Sequence, residues 1–325
     1  METEALFHIA LRQVEVRKVR LVAPGPDQVL VQSLCSAISP GTEKRLFVGD
    51  LPENMLLDAN LPALRGTFSY PFRYGYALVG QVVAAGSEAR HLIGQRVFLF
   101  HPHQRHVLVA ARECLLLPHD VPVEDALFFA NLESAVNFVH DATPMLGEVG
   151  LVIGLGVVGL LTVAVLAKFP LQLYACDPIP ERRRLAEQLG AITFAPSSPA
   201  HLERGFDFSI ELSGEFNGLQ QAVEWTGFCG RLVVGSWYNR PSPLDLGGAF
   251  HRSRLRWIVS QVSTIDPVLS GRWDKKRRYE LVWELIRELK PSCFISHRFP
   301  LSSAQEVFER LERGALLQPI FVYGE

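Results

Sequence analysis

Apolar residues follow two different rhythms along this 325-residue chain. Over the first hundred residues they come in short runs, such as 29–33, 78–84 and 96–100, cut by Pro24-Gly25-Pro26 and Pro40-Gly41. Runs of this kind bounded by turn formers predict an irregular, mostly antiparallel β domain. Between about Val121 and Val262 the rhythm changes to strands alternating with helical stretches: 151–153, 160–169, 173–176, 181–189, 208–211, 219–224 and 232–235. That alternation predicts a doubly wound α/β domain, a parallel sheet covered by helices on both faces. Beyond Lys275 the pattern predicts a helix over 279–289, a strand near 294–299, a helix over 304–313 and a last strand at 319–323, expected to return to the first domain. The expected division is a β-rich domain of residues 1–120 and 291–325 around an α/β domain of residues 121–290.

The stretch 149–167 is almost wholly apolar and about as long as a membrane span. Its internal order argues instead for a short buried strand, a glycine-rich turn and a helix too short to cross a bilayer. The turn, Gly154-Leu155-Gly156-Val157-Val158-Gly159, has the spacing of a dinucleotide-binding fingerprint. Gly154 would make the tight turn, Gly156 would let the backbone approach a pyrophosphate, and Gly159 would allow close helix-on-strand packing. Val158 stands in the helix-opening turn, whose N–H groups favour phosphate. Asp177 follows the next strand, eighteen residues beyond Gly159, where a carboxylate accepts hydrogen bonds from a ribose. This favours NAD; Arg182, Arg183 and Arg184 keep NADP possible, since one of them could stack on adenine or meet a 2′-phosphate. Ser213 and Gly235, at the ends of two later strands, complete the expected coenzyme-binding set.

Composition removes several other readings. Hydrophobic residues make up 48% and charged residues 20%, and the formal net charge is −2, so the chain offers no general field for nucleic acid or anionic lipid. The five cysteines are scattered without a C-x-x-C pair, which points to a reducing compartment, and the acidic N-terminus lacks the pattern of a signal peptide. A cytoplasmic protein acting on a small molecule is expected. The basic run from Lys275 to Arg278 reads as a solvated helix start.

The order of motifs resembles the medium-chain dehydrogenase/reductase superfamily over nearly the whole chain. Residues 36–43, ending Gly41-Thr42-Glu43, resemble the family's segment ending Cys-Gly-Thr-Asp; residues 74–80 resemble its Gly-His-Glu stretch; residues 94–97 resemble its Gly-Asp-Arg-Val turn. Leu132-Glu133-Ser134-Ala135 is similar to its Glu-Pro-Leu-Ala helix, and residues 295–301 to its Ile-Thr-His-Arg-Phe-Pro-Leu return. The resemblance implies an irregular GroES-like catalytic domain, a Rossmann coenzyme domain, hydride transfer between an alcohol and a carbonyl, and a possible homodimer. Within the superfamily, residues 38–43 also resemble the Ile-Ser-Thr-Gly-Thr-Glu segment of the bacteriochlorophyllide hydroxyethyl dehydrogenases.

The departures bear on mechanism. Pro40 stands where zinc members carry a cysteine ligand, Tyr76 and Ala77 where they carry His and Glu, and the four-cysteine structural lobe is replaced by residues 100–106. Neither zinc is therefore expected. A rebuilt site from His101, His103, His106, Glu133 and Cys114 is the alternative, with His101 and His103 on one face if residues 101–103 form a strand. Without a metal, a hydrogen-bond donor must stabilise the developing alkoxide. Thr42, matching the family's proton-relay hydroxyl, and Tyr76, in the vacated ligand position, are the candidates; Glu43, Glu133 and His101 complete the candidate catalytic set. Phe47, Trp237 and Tyr238 are candidate pocket walls. Rival readings are a zinc-independent quinone or enone reductase and a non-catalytic dinucleotide-binding sensor or structural protein.

Overall fold

The computed structural model describes residues 1–50, 56–58, 61–198, 203–238, 241 and 243–324. In chain order the first strands are β1 (Glu2–Ala10), β2 (Gln13–Arg20) and β3 (Gln28–Ala37), followed by the short helix α1 (Thr42–Phe47). Next come β4 (Leu78–Ala85), β5 (Arg96–Leu99), β6 (His106–Ala110) and β7 (Leu115–Leu116), then α2 (Val123–Ala126) and α3 (Phe129–Ala142). The alternating part comprises β8 (Val149–Ile153), α4 (Val157–Leu166), β9 (Gln172–Cys176), α5 (Pro180–Gln188), β10 (Ile192–Phe194), β11 (Phe206–Glu211), α6 (Phe216–Trp225), β12 (Thr226–Val234), α7 (Ala249–Arg252) and β13 (Arg256–Val259). The chain closes with α8 (Lys275–Leu289), β14 (His297–Pro300), α9 (Ala304–Glu312) and β15 (Pro319–Val322).

Two compact units result, Met1–Ala130 with Ile286–Glu325, and Asn131–Leu285. In the first, a seven-stranded sheet runs β14-β15-β3-β4-β5-β7, with β6 paired to β3, and β1 and β2 form a separate antiparallel pair. The return of β15 to β3 is antiparallel, so the C-terminal strand completes the sheet begun near the N-terminus. One core of this unit joins Leu6, Ile38 and Phe47 to Val307, Phe308 and Leu311 of α9. The spacing of Ala304, Val307, Phe308 and Leu311 puts all four on one helix face, which is the buried one. Phe47, a candidate pocket wall, is therefore a core residue: its ring lies 5.4 Å from Phe308 and is buried.

The second unit is a six-stranded sheet in the order β10-β9-β8-β11-β12-β13, every pair parallel. This is the doubly wound arrangement, with its order reversing between β8 and β11. Central β8 (VGLVI) is apolar at nearly every position because helices cover both faces of a parallel sheet. Nine of the ten residues of α4 are buried, which explains why the run 149–167 shows no amphipathic period. Among the described residues no helix is long and apolar enough to cross a membrane.

The strand expected near 294–299 is shorter than its pattern, because Pro291–Phe294 forms a 3-10 turn first and pairing starts at His297. Residues 101–105 are not a strand; β5 ends at Leu99 and β6 begins at His106, so the face shared by His101 and His103 does not exist. The basic run does open α8, with Lys276 and Arg277 exposed, but Arg278 is not solvated. Arg278 is completely buried, since Lys275, Arg278, Val282 and Leu285 lie on one side of α8 and that side faces the protein.

Candidate functional site

In the second unit β8 runs into Gly154, whose φ is +91° and whose missing Cβ would lie 2.5 Å from the Ser213 nitrogen. Only glycine both takes this turn and lets the segment after β11 pass so closely. A Cβ on Gly159 would sit 1.9 Å from the Gly154 carbonyl oxygen, so helix and strand approach as the spacing requires. At Gly156 nothing lies within 4 Å of a built Cβ. This open face adjoins the start of α4, where Leu160 N–H bonds to the Gly156 carbonyl at 2.9 Å. The N–H groups of Val157, Val158 and Gly159 have no carbonyl within the helix to meet. A positive helix end beside open backbone is what a pyrophosphate requires.

Asp177 locks this turn in place. Its Oδ2 accepts the Leu155 N–H at 2.7 Å and its Oδ1 accepts the Ile179 N–H at 2.8 Å. Each carboxylate oxygen keeps a second lone pair for a hydroxyl. Arg182 stands 3.8 Å from Oδ2, while Arg183 donates to the carbonyls of Asp177 and Pro178 and Arg184 pairs with Glu181 on the surface. Only Arg182 of the three is drawn toward the carboxylate.

The ends of β11 and β12 form a second polar knot. Glu211 is fully buried; its Oε1 accepts from the Ser213 N–H at 2.7 Å and from the Ser213 hydroxyl, and its Oε2 accepts from the Tyr238 hydroxyl. Gly235 N–H bonds to the Glu211 carbonyl at 3.1 Å. The structure thus brings Gly154, Ser213 and Gly235 together around Glu211, a residue that sequence reasoning took only as a strand end. Tyr238 belongs to this knot, and Trp237 beside it is exposed.

In the first unit, Glu43 and His103 are both completely buried and joined at 3.0 Å between Oε2 and Nε2. Glu43 Oε1 accepts the Ser39 N–H at 2.8 Å, His103 Nδ1 is 2.7 Å from the Ser36 hydroxyl, and Ser36 is 2.8 Å from the Tyr323 hydroxyl. Burial raises the Tyr323 phenol well above its usual pKa, so it stays neutral beside Ser36. This network ties α1 and the loop after β5 to the C-terminal strand region. Glu43 has no free face for a substrate.

Tyr76 donates to the Ser39 hydroxyl at 2.6 Å, and the Thr42 side chain acts on the same phenol. Burial raises its pKa too, and Thr42 and Tyr76 stay partly exposed, so two hydroxyls stand side by side where the resemblance implies a proton relay. His101 donates from Nδ1 to the Pro102 carbonyl at 2.8 Å, and burial drives its pKa down to about 4. It is a neutral ring with Nε2 as its acceptor.

Glu133, on α3 in the second unit, carries two cations. Lys275 Nζ lies 2.6 Å from Oε1, and the Arg278 Nη2 lies 2.7 Å from the same oxygen. Arg278 also donates to the Asn137 side chain and to the carbonyls of Val262 and Thr264. Sequence reasoning missed both cations, although the helical period that puts Arg278 in line with Val282 and Leu285 was visible.

These engagements decide which groups could be held. The open backbone at Gly156, the start of α4 and the carboxylate of Asp177 suit a dinucleotide. Donors proposed for a rebuilt zinc site are already engaged: His103 is tied to Glu43 and Ser36, and His106 Nδ1 faces the Thr3 hydroxyl at 3.3 Å. Glu133 is occupied by Lys275 and Arg278. Among the described residues no three His, Cys, Asp or Glu side chains converge to hold a metal.

No protein-family model matches the chain. It is 27% identical over 331 aligned positions to the 2-desacetyl-2-hydroxyethyl bacteriochlorophyllide A dehydrogenase of Rhodobacter capsulatus, covering 95% of this chain and 94% of the relative. Its fold is that of a dehydrogenase from Sinorhizobium meliloti solved with NADP, at a TM-score of 0.79, 21% identity and 99% of each chain. An alcohol dehydrogenase of Escherichia coli CFT073 complexed with NADH superposes with a TM-score of 0.80 at 16% identity, again over 99% of each chain.

Proposed function

We propose that this chain, a member of the medium-chain dehydrogenase/reductase superfamily, is an NAD-dependent oxidoreductase that interconverts an alcohol and a carbonyl without a catalytic zinc. The observation that carries the reading is the turn from Gly154 to Gly159, open at Gly156 and pinned through Leu155 by Asp177. A bound nicotinamide dinucleotide would supply or accept the hydride. The N–H groups at the start of α4 would hold its phosphates, and Asp177 would accept from the adenosine ribose hydroxyls. A 2′-phosphate there would meet a buried carboxylate, which supports NAD over NADP; a single flanking Arg182 does not reverse that charge.

Thr42 and Tyr76 are the residues of the first unit proposed to hydrogen-bond the substrate oxygen, because both are hydroxyls and both remain partly exposed. Glu43 is proposed as a positioning residue, anchoring the Ser39 backbone from which the Ser39–Tyr76 contact is built. The bacteriochlorophyllide dehydrogenase likeness supports oxidation of an alcohol on an organic substrate, and the scattered cysteines support a reducing, cytoplasmic setting. Fluorescence titration of the purified protein with NADH and NADPH, with elemental mass spectrometry of the same sample, tests the reading. Tighter binding of NADH and less than a tenth of a zinc per chain (about 0.1 or lower) are expected; tight zinc at about one per chain would overturn the metal-free part, and no binding of either coenzyme the whole.

A further inference from the structure

Lys275 opens α8, with a half-buried side chain that is 36% exposed. Its ammonium has three N–H donors. One meets Glu133 Oε1 at 2.6 Å and a second the Val262 carbonyl at 3.0 Å. No acceptor for the third is found among the described residues. The Tyr279 ring lies 5.3 Å from Nζ, and Arg278, wholly buried, meets the same carboxylate oxygen at 2.7 Å. Arg278 is also linked through Asn137 to Asp141, and of the two cations on Glu133 only Lys275 reaches the surface.

The place of this ammonium in the second unit matters as much as its pairing. Val262 lies three residues beyond the carboxyl end of β13, and Ser260 N–H bonds to Val234 at the carboxyl end of β12 at 3.0 Å. The glycine-rich turn leaves β8 at the same edge of the same parallel sheet. Asp177 lies on the β9 side of the switch between β8 and β11, so a dinucleotide with its adenosine there would extend its nicotinamide toward β11, β12 and β13. Lys275 is anchored on that side.

We propose that Lys275 is a catalytic residue, its third N–H donating to the oxygen of the substrate carbonyl and supplying the proton that completes the alcohol. This rests on the oxidoreductase reading above and names the group that stabilises charge at the reacting oxygen. In the reducing direction the carbonyl carbon gains a hydride from the reduced nicotinamide, the C=O π pair moves to oxygen, and that oxygen takes one proton from the ammonium. An alcohol, the oxidised coenzyme and a neutral amine result, and the amine regains its proton from water; oxidation runs these steps in reverse. Glu133 is a positioning residue that holds the ammonium in place. Desolvation lowers the pKa of Lys275, which makes it a better acid than a surface lysine.

The test starts from the wild-type protein, screened for hydride exchange between NADH and a panel of aldehydes, ketones and alcohols. Absence of any exchange overturns the oxidoreductase reading and this inference with it. With an active pair in hand, Lys275→Met is expected to lose about 100-fold or more in kcat with the NADH Kd changed less than about twofold. Lys275→Cys should be similarly impaired and recover after treatment with 2-bromoethylamine, which rebuilds the ammonium, while Lys275→Met treated alike does not recover. Independently of turnover, labelling of Lys275 by acetic anhydride, read by mass spectrometry, should fall when NADH and the product alcohol are both present, with Lys18 on the surface unaffected. Turnover of Lys275→Met within about threefold of wild type, or Lys275 labelling indifferent to that pair, overturns the assignment while leaving the oxidoreductase reading standing.

Discussion

The backbone N–H of Leu155 reaches Asp177 Oδ2 at 2.7 Å, so the carboxylate proposed to select the coenzyme also holds the loop that binds it. The two duties separate by substitution. Asp177→Asn keeps an oxygen for Leu155 but removes the charge that repels a 2′-phosphate. NADH affinity is expected to fall about tenfold and NADPH affinity to rise, with the preference ratio moving toward NADPH by two orders of magnitude or so. Paired fluorescence titrations measure it; an unchanged ratio would remove Asp177 from coenzyme selection.

Arg278 offers a prediction about stability. Its guanidinium is sealed with Glu133, Asn137 and two carbonyls, so Arg278→Met would leave a buried carboxylate with only Lys275 and would take this donor from the Asn137 side-chain oxygen and the Thr264 carbonyl. A loss of about 3–5 kcal/mol is expected in urea unfolding of the second unit. Glu133→Gln in the Arg278→Met background should cost much less than it does alone, because the two effects share one interaction. Additive losses would mean that the pair is not coupled.

Much of this was legible in the sequence, and the reasons differ by residue. The turn from Gly154 to Gly159 was readable because its shape is set by backbone geometry that glycine supplies. The order of β8, β9, β11 and β12 followed from apolar runs that a covered parallel sheet requires. Arg278 was misread because charge was weighed ahead of helical phase; its place in line with Val282 and Leu285 put it on the buried face. Glu211 was missed for a different cause. A carboxylate at a strand end looks like a turn residue until the hydroxyls of Ser213 and Tyr238, far apart in sequence, close over it. The buried chain from Glu43 to Tyr323 spans 280 positions of sequence, and no local pattern announces such a contact.

Acid should weaken the first unit through His8 and His101. Burial lowers their pKa values from 6.5 to about 3 and about 4, so both are neutral in the folded chain where an unfolded chain would hold them protonated. Their contribution is complete above pH 6.5 and is lost as pH falls, from both residues down to about 4 and from His8 alone toward 3. Two extra protons bound on unfolding give a slope of about 2.7 kcal/mol per pH unit at most near pH 5. His8 is also buried with neither ring nitrogen hydrogen-bonded, stacked 4.8 Å from Phe72 and edge-on to Phe308. His8→Phe keeps the ring contacts and removes the orphaned polar atoms. It is expected to stabilise the protein by about 1–3 kcal/mol at pH 6 and to halve the acid slope, both readable from urea midpoints across pH 4.5 to 7.

The hydroxyl pair of Thr42 and Tyr76 can be taken apart one oxygen at a time. Tyr76→Phe removes the donor to Ser39 and the phenol beside Thr42 while keeping the ring against Tyr74, whose centroid is 6.2 Å away. Thr42→Val keeps the shape of the side chain and removes its hydroxyl. If Thr42 contacts the reacting oxygen and Tyr76 only orients it, Thr42→Val should lower kcat about 100-fold and Tyr76→Phe about tenfold, neither changing the NADH Kd. The double variant should then be no slower than Thr42→Val, because a residue acting through another has nothing left to orient. Multiplied losses would instead mean that both hydroxyls touch the substrate, and full activity in Thr42→Val would mean that the family's relay position is silent in this chain.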